Sequence, residues 1–229
     1  MIKTNEQRVR WSAFFIGIAI MALGIVLTIK AELGIAPWDV LHIGLMLQFG
    51  LTVGSWTVGF FILAVSSLLM KRLPKIGAFL NMLFVGMFID LFLYLPIIVT
   101  PQHVLMQFLM LIIGVFVCGI GMGLYIAADF GAGPRGSLMI ALTELTKWKV
   151  QHVRAGMEIV VLLIGWLLGG PVFIGTIIVT LLIGPVAGFT LPFFRNVVAK
   201  LIVRGDRNEN INKRSLRSYH YDGVSKKLR

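Results

Sequence analysis

Ala31-Glu32-Leu33-Gly34-Ile35-Ala36-Pro37 is one of two versions of a single interruption in this chain. The other is Ala128-Asp129-Phe130-Gly131-Ala132-Gly133-Pro134, with Gly131 standing 97 positions after Gly34. Each follows a long apolar run. Each carries a small residue, an acid, a bulky apolar residue, Gly, two small or apolar residues and Pro. Glycine frees the backbone and proline removes a donor, so a helix is expected to stop at both. Paired Gly/Pro interruptions in a membrane chain are a pointer to a transport site.

The match extends outward from the breaks. At the same offset Gly17 meets Gly114, Gly24 meets Gly121, Val53 meets Val150, Gly59 meets Gly156 and Pro74 meets Pro171. One added residue then pairs Ile76-Gly77 with Ile174-Gly175. Apolar helices share Leu and Ile by chance, but coincident Gly and Pro are harder to obtain that way. We read an internal duplication, a recurrent device of transporter folds.

Composition agrees. The hydrophobic fraction is 58% and the mean hydropathy +0.91, far above a soluble domain. Apolar runs of helix-spanning length recur, which makes this an all-α polytopic membrane protein. The first run is too long for a cleavable signal peptide and belongs to the repeat. The lone Cys118 excludes an intramolecular disulfide and reads as a packing residue.

The chain divides into a cytoplasmic N-terminus (1–10), a membrane domain (11–194, with repeats at about 11–99 and 105–194) and a basic tail (195–229). Six spans are expected, near 11–29, 53–70, 76–99, 105–127, 155–168 and 173–194. Pro185 and Pro192 are expected to kink the last one. The stretches 38–49 and 137–147 are too short to cross and suit re-entrant or interfacial helices. The tail has no sustained apolar periodicity, and disorder is expected at its end.

Positive charge sets orientation. The N-terminus, Lys71-Arg72-Leu73-Pro74-Lys75, the stretch with Lys147, Lys149 and Arg154, and the tail all fall on one side of a six-span layout. From Arg195 onward ten Lys/Arg face three Asp/Glu, a net +7 of the chain's +11. Both termini are therefore expected in the cytoplasm, the tail beside anionic lipid. Three spans per repeat would turn the halves into inverted copies. The Gly34 break would then face outward and the Gly131 break inward. Nucleic-acid binding is not expected, because the tail has no recognisable fold or aromatic platform.

Ionisable groups at membrane depth are the site candidates. Asp90, deep in the third span, suits proton coupling. Its alternative is a carboxylate paired to a helix end or a structural Arg. Glu32 and Asp129 are equivalent break acids. Asp39 and His42 lie three apart on one face of the first short helix. Arg135 follows the second proline. Asn81 can bond a ligand, although helix packing is the plainer role. Glu158, one turn after Arg154, reads as a structural pair near the cytoplasmic face. Gly119/Gly123, Gly165/Gly169 and Gly184/Gly188 read as close-packing stripes. With Gly34, Pro37, Gly131 and Pro134 as helix breaks, these complete the candidate set. The breaks sit either at the midplane or as gates near the surfaces. No phosphate-cradling Gly-rich Lys-Ser/Thr motif occurs, and the histidines are scattered, so no enzyme activity, cofactor or metal is expected.

The stretch Leu33-Gly34-Ile35-Ala36-Pro37-Trp38-Asp39-Val40-Leu41, with Leu182-Ile183-Gly184-Pro185, resembles the bacterial YczE/YyaS/YitT-type membrane proteins. The resemblance covers about residues 11–195 and implies a multi-pass protein of the bacterial inner membrane. It implies little about mechanism. Arg135-Gly136 stands where the first break has Trp38-Asp39, so the halves are not chemically equivalent. The expected function is a secondary transporter or exporter of a small solute or ion. The alternative is a non-transporting membrane scaffold or regulator acting through a partner. Self-association is left open.

Overall fold

The computed structural model describes residues 4–49, 55–71 and 73–225. Val53 and Arg72, used in the repeat match and in the charge count, lie outside them. The described residues form α1 (Thr4–Lys30), α2 (Pro37–Phe49), α3 (Ser55–Met70), α4 (Ile76–Tyr94), α5 (Val104–Ala127), α6 (Pro134–Thr146), α7 (Val150–Leu167) and α8 (Ile174–Ser225). Among them are five helices long and apolar enough to cross a membrane, with Val58–Met70 a shorter apolar segment. The second expected span begins in residues that are not described.

Both short helices begin at their prolines, three residues earlier than expected for α6. Proline is preorganised for the first helical position, where its missing N–H is not needed. Two expectations at the far end need correction. The helix α8 runs through Pro185 and Pro192 and continues along the tail to Ser225 instead of ending near Phe194. Helix α7 starts at Val150, not 155, which places Arg154 and Glu158 inside a span.

The core is the crossing of α1 and α5. A Cβ at Gly24 would meet the backbone of Cys118 and Gly114, and one at Gly121 the backbone of Met21 and Gly17. Gly17 thus faces Gly121 and Gly24 faces Gly114, so the helices run antiparallel with their backbones in near contact. Small residues permit this, and van der Waals packing is the main attraction between helices in lipid. The stripes at Gly119/Gly123 and Gly184/Gly188 pack likewise, against Val186/Thr190 and Gln151/Ala155. Gly165 lies against Leu41, whereas Gly169 stands in a loop with only Leu47 nearby.

The breaks share one conformation. Glu32 and Asp129 are left-handed (φ 54° and 60°), and Gly34 and Gly131 have φ of 144° and 122°. Each break then hands a carbonyl to a distant helix start. The Gly77 N–H donates to Phe130 O at 3.0 Å and the Gly175 N–H to Leu33 O at 2.9 Å. The short helices cross over, α2 packing on α7 and α6 on α3.

Gly131→Ala is expected to lower stability by roughly 1–3 kcal/mol, since φ of 122° is strained for a side chain and its Cβ would press on Lys75 and Ala78. Thermal unfolding of the purified protein reads this, and an unchanged midpoint contradicts it.

Candidate functional site

A cavity of about 830 Å³ lies between the two breaks. Its lining reaches Glu32, Gly34, Ile35 and Ala36 at the first break but stops at Gly133 at the second. The walls are mostly apolar, from Met21 and Ile25 of α1, Val58 and Ile62 of α3, Val85 of α4, Met122 of α5 and Ile183 of α8. This size and lining suit a small organic ligand held by a few placed polar groups.

The polar groups are concentrated on α2, α6 and α7. Arg154 and Glu158, 6% and 1% exposed, pair through Arg154 Nη2 and Glu158 Oε1 at 2.6 Å. The same Oε1 accepts from Trp38 Nε1 at 3.1 Å, tying α2 to α7. Trp38 in turn carries the Arg135 guanidinium over its ring at 5.0 Å, so both short helices meet there. Arg135 faces Asp39 at 3.8 Å, and His42 Nδ1 faces the same carboxylate oxygen at 3.9 Å. Among the described residues several buried atoms have no partner: Arg154 Nε and Nη1, Glu158 Oε2, Asn81 Nδ2 and His42 Nε2. Buried polar atoms are ordinarily satisfied, so such a cluster around one cavity marks a place for something else to bind.

The two breaks differ in what surrounds them. Asp129 is held by Lys75 Nζ at 2.6 Å and by Arg10 Nη1 at 3.7 Å, while Arg10 also donates to Ala128 O at 3.1 Å. Trp11 packs on Phe130 with centroids 4.3 Å apart. Ala132 is buried, and Gly133 lies against the Asn81 side chain. At the first break Glu32 accepts, among the described residues, from Thr100 Oγ1 alone, at 3.0 Å, and Gly34, Ile35 and Ala36 are half-buried. One end is latched by charge and aromatic packing and the other is not.

A model described as a family of unknown function, DUF6198, matches residues 8–192. The chain belongs to the DUF6198 family. This DUF6198 chain is 45% identical over 192 residues to the uncharacterized membrane protein YczE of Bacillus subtilis, across 82% of this chain and 88% of that one. It is 31% identical to an uncharacterized protein of Haemophilus influenzae over 83% of this chain and 85% of that one. It is 29% identical to the uncharacterized protein YyaS of Bacillus subtilis over 86% and 98% of the two chains. The resemblance read from the first break therefore holds for YczE and YyaS. No solved structure matches. A membrane protein is thereby established, and none of these names carries an activity.

In this DUF6198 protein the cavity gathers Glu32, Asp39, His42, Asn81 and Arg135 from the sequence candidates, with Gly34, Pro37 and Pro134 of the breaks. It does not gather Asp90 or Asp129. Asp90 is exposed on α4, one turn beyond Gly86, and is not part of the lining. Asp129 belongs to the latch. Sequence reasoning passed over Trp38, Arg154 and Glu158 as site residues. The available signal was an Arg and a Glu four apart in an otherwise apolar helix. Starting that helix five residues too late had put the pair at its edge.

Proposed function

We propose that this DUF6198 protein is a secondary transporter or exporter of a small solute that works by alternating access, built as two inverted three-span repeats in a bacterial inner membrane. The observation that carries the reading is the asymmetric cavity, whose lining takes in one Gly/Pro break from Glu32 onward and stops at Gly133, short of the latched residues of its sequence-equivalent partner. The inverted repeat draws support from the antiparallel α1–α5 crossing. Under the 97-residue match, the Gly17–Gly121 and Gly24–Gly114 contacts exchange places. The two break-to-helix hydrogen bonds exchange likewise with one added residue. Halves related in this way can swap conformations, so the latched end of one state becomes the open end of the other. With both termini cytoplasmic, by the positive-inside rule, the cavity faces outward in the present state.

Sidedness tests this layout. In a Cys118→Ala background, Thr100→Cys marks the first break, beside Glu32, and Leu73→Cys marks the loop leading to Lys75 at the second. A membrane-impermeant thiol reagent is expected to label Thr100→Cys only in intact cells and Leu73→Cys only in inside-out vesicles. Labelling of both from one face would remove the inverted layout.

A second reading, the scaffold or regulator acting through a partner, draws on α8, which continues as helix from Val203 to Ser225 beyond the apolar segment. Its basic character would suit anionic lipid or an acidic partner. A scaffold needs no reciprocal opening of the two breaks, so labelling rates that move in opposite directions at the two breaks would exclude it.

A further inference from the structure

The cavity's charged cluster is unfinished in one direction. Arg154 uses only Nη2 on Glu158, and its Nε and Nη1 are buried without a partner. Asn81, 6% exposed, adds an unpartnered amide Nδ2. Arg135 has no hydrogen bond to Asp39, which it meets only at 3.8 Å, and is otherwise steadied by the Trp38 ring. The acceptors are the carboxylates of Glu32, Asp39 and Glu158, and Asp39 already faces Arg135 and His42. Glu158 Oε1 is taken twice, by Arg154 and by Trp38, leaving Oε2 alone. Glu32, at the mouth, is bonded to Thr100.

Two further features point the same way. The amino ends of α2 and α6 both line the cavity, through Pro37 and Trp38 and through Pro134 and Arg135. Helix amino ends carry partial positive charge and free N–H groups. Guanidinium groups bind planar oxyanions through paired N–H donors, and in a low-dielectric site such charge-assisted bonds are strong. Around the cluster the walls offer Met21, Val58, Ile62, Val85, Met122 and Ile183.

We propose that this cavity binds a small organic anion, a carboxylate or sulfonate on an apolar body. The head group sits on Arg135 and Arg154, with Asn81 as a third donor, and the body lies on the Met, Val and Ile wall. The proposal names the substrate class of the transport site and so rests on that reading.

The test is calorimetric titration of the full chain in lipid nanodiscs, with empty nanodiscs as the blank for partitioning. Three probes share one body and differ in the head: 4-phenylbutyrate, 4-phenylbutan-1-ol and 4-phenylbutylamine. Phenylbutyrate is expected to bind saturably, at one per chain, and at least tenfold more tightly than the alcohol or the amine. Arg135→Gln is expected to weaken phenylbutyrate at least tenfold, and an unchanged thermal unfolding midpoint shows that the variant is folded. Equal binding of acid and alcohol would mean an apolar pocket with no anion seat. Tighter binding of the amine would assign the site to Glu158 and a cation. Either result, or no saturable binding of any probe, overturns the proposal. The reciprocal labelling of the breaks is measured without ligand, so it can stand while the substrate class falls.

Discussion

Glu158→Ala is expected to destabilise the protein by roughly 3–5 kcal/mol, the range for breaking a buried ion pair by removing one partner. The reason is what stays behind. Arg154, 6% exposed, already lacks partners at Nε and Nη1 and would lose the one at Nη2. Trp38 Nε1 would lose its acceptor, Glu158 Oε1, at the same time. An uncompensated guanidinium in an apolar cavity is the costly species, not the missing carboxylate. It follows that Arg154→Met combined with Glu158→Leu should recover much of the lost stability, because removing both charges removes the desolvation problem. That double variant should still fail to bind phenylbutyrate. Thermal unfolding in detergent reads the stability, and titration reads the binding. A Glu158→Ala cost below about 1 kcal/mol would mean that the pair is bathed in water and not buried in the cavity wall.

Gly121→Val should cause the second large effect, loss of most folded protein. Even a Cβ at Gly121 would run into the backbone of Met21 on the facing helix, and the backbone of Gly17 is 2.6 Å from the same point. Main chain cannot turn aside as a flexible side chain can, so α1 and α5 would have to separate along their length. Overpacking a core costs about 1–3 kcal/mol, and a branched side chain against main chain falls at or above the top of that range. The matched control is Gly156→Ala in α7, where nothing lies within 4 Å. It should be neutral, or gain up to about 1 kcal/mol from helix propensity. The yield of monodisperse protein on size exclusion separates the two. Similar yields would mean that the helices do not cross at these glycines.

Much of this arrangement was legible in the residues, and the part that was not has physical causes. The breaks could be read because Gly34, Pro37, Gly131 and Pro134 act on the backbone locally, whatever surrounds them. The repeat match could be read because Gly17, Gly24, Gly114 and Gly121 recur at one offset, and these glycines turn out to be where α1 and α5 touch. The site was harder. Asp90 drew attention as a charge in an apolar run, yet a run does not reveal which helix face meets the cavity, and Asp90 lies exposed outside it. Asn81, a candidate for which helix packing is the plainer role, lies on the cavity face nine residues before Asp90, with no partner for its Nδ2 among the described residues. Arg154 and Glu158 read as a structural pair near the cytoplasmic face, because a helix expected from about 155 puts them at its edge, whereas it begins at Val150. Trp38 gave no signal as a ligand to Glu158, since the two are 120 positions apart and meet only when α2 crosses to α7.

The measurement that bears most directly on alternating access uses the latch. Asp129→Asn removes the ion pairs to Lys75 and Arg10, while asparagine keeps the left-handed conformation that Asp129 adopts at φ 60°. Equivalent break positions then report each end in the Cys118→Ala background. Ile35→Cys lies on the open side and Ala132→Cys on the latched side. Adding Asp129→Asn is expected to speed labelling of Ala132→Cys from inside-out vesicles and to slow labelling of Ile35→Cys from intact cells, because opening one end closes the other. If the two rates rise together, or if Ile35→Cys labelling is unmoved while Ala132→Cys labelling rises, the breaks open independently and the protein is not an alternating-access transporter.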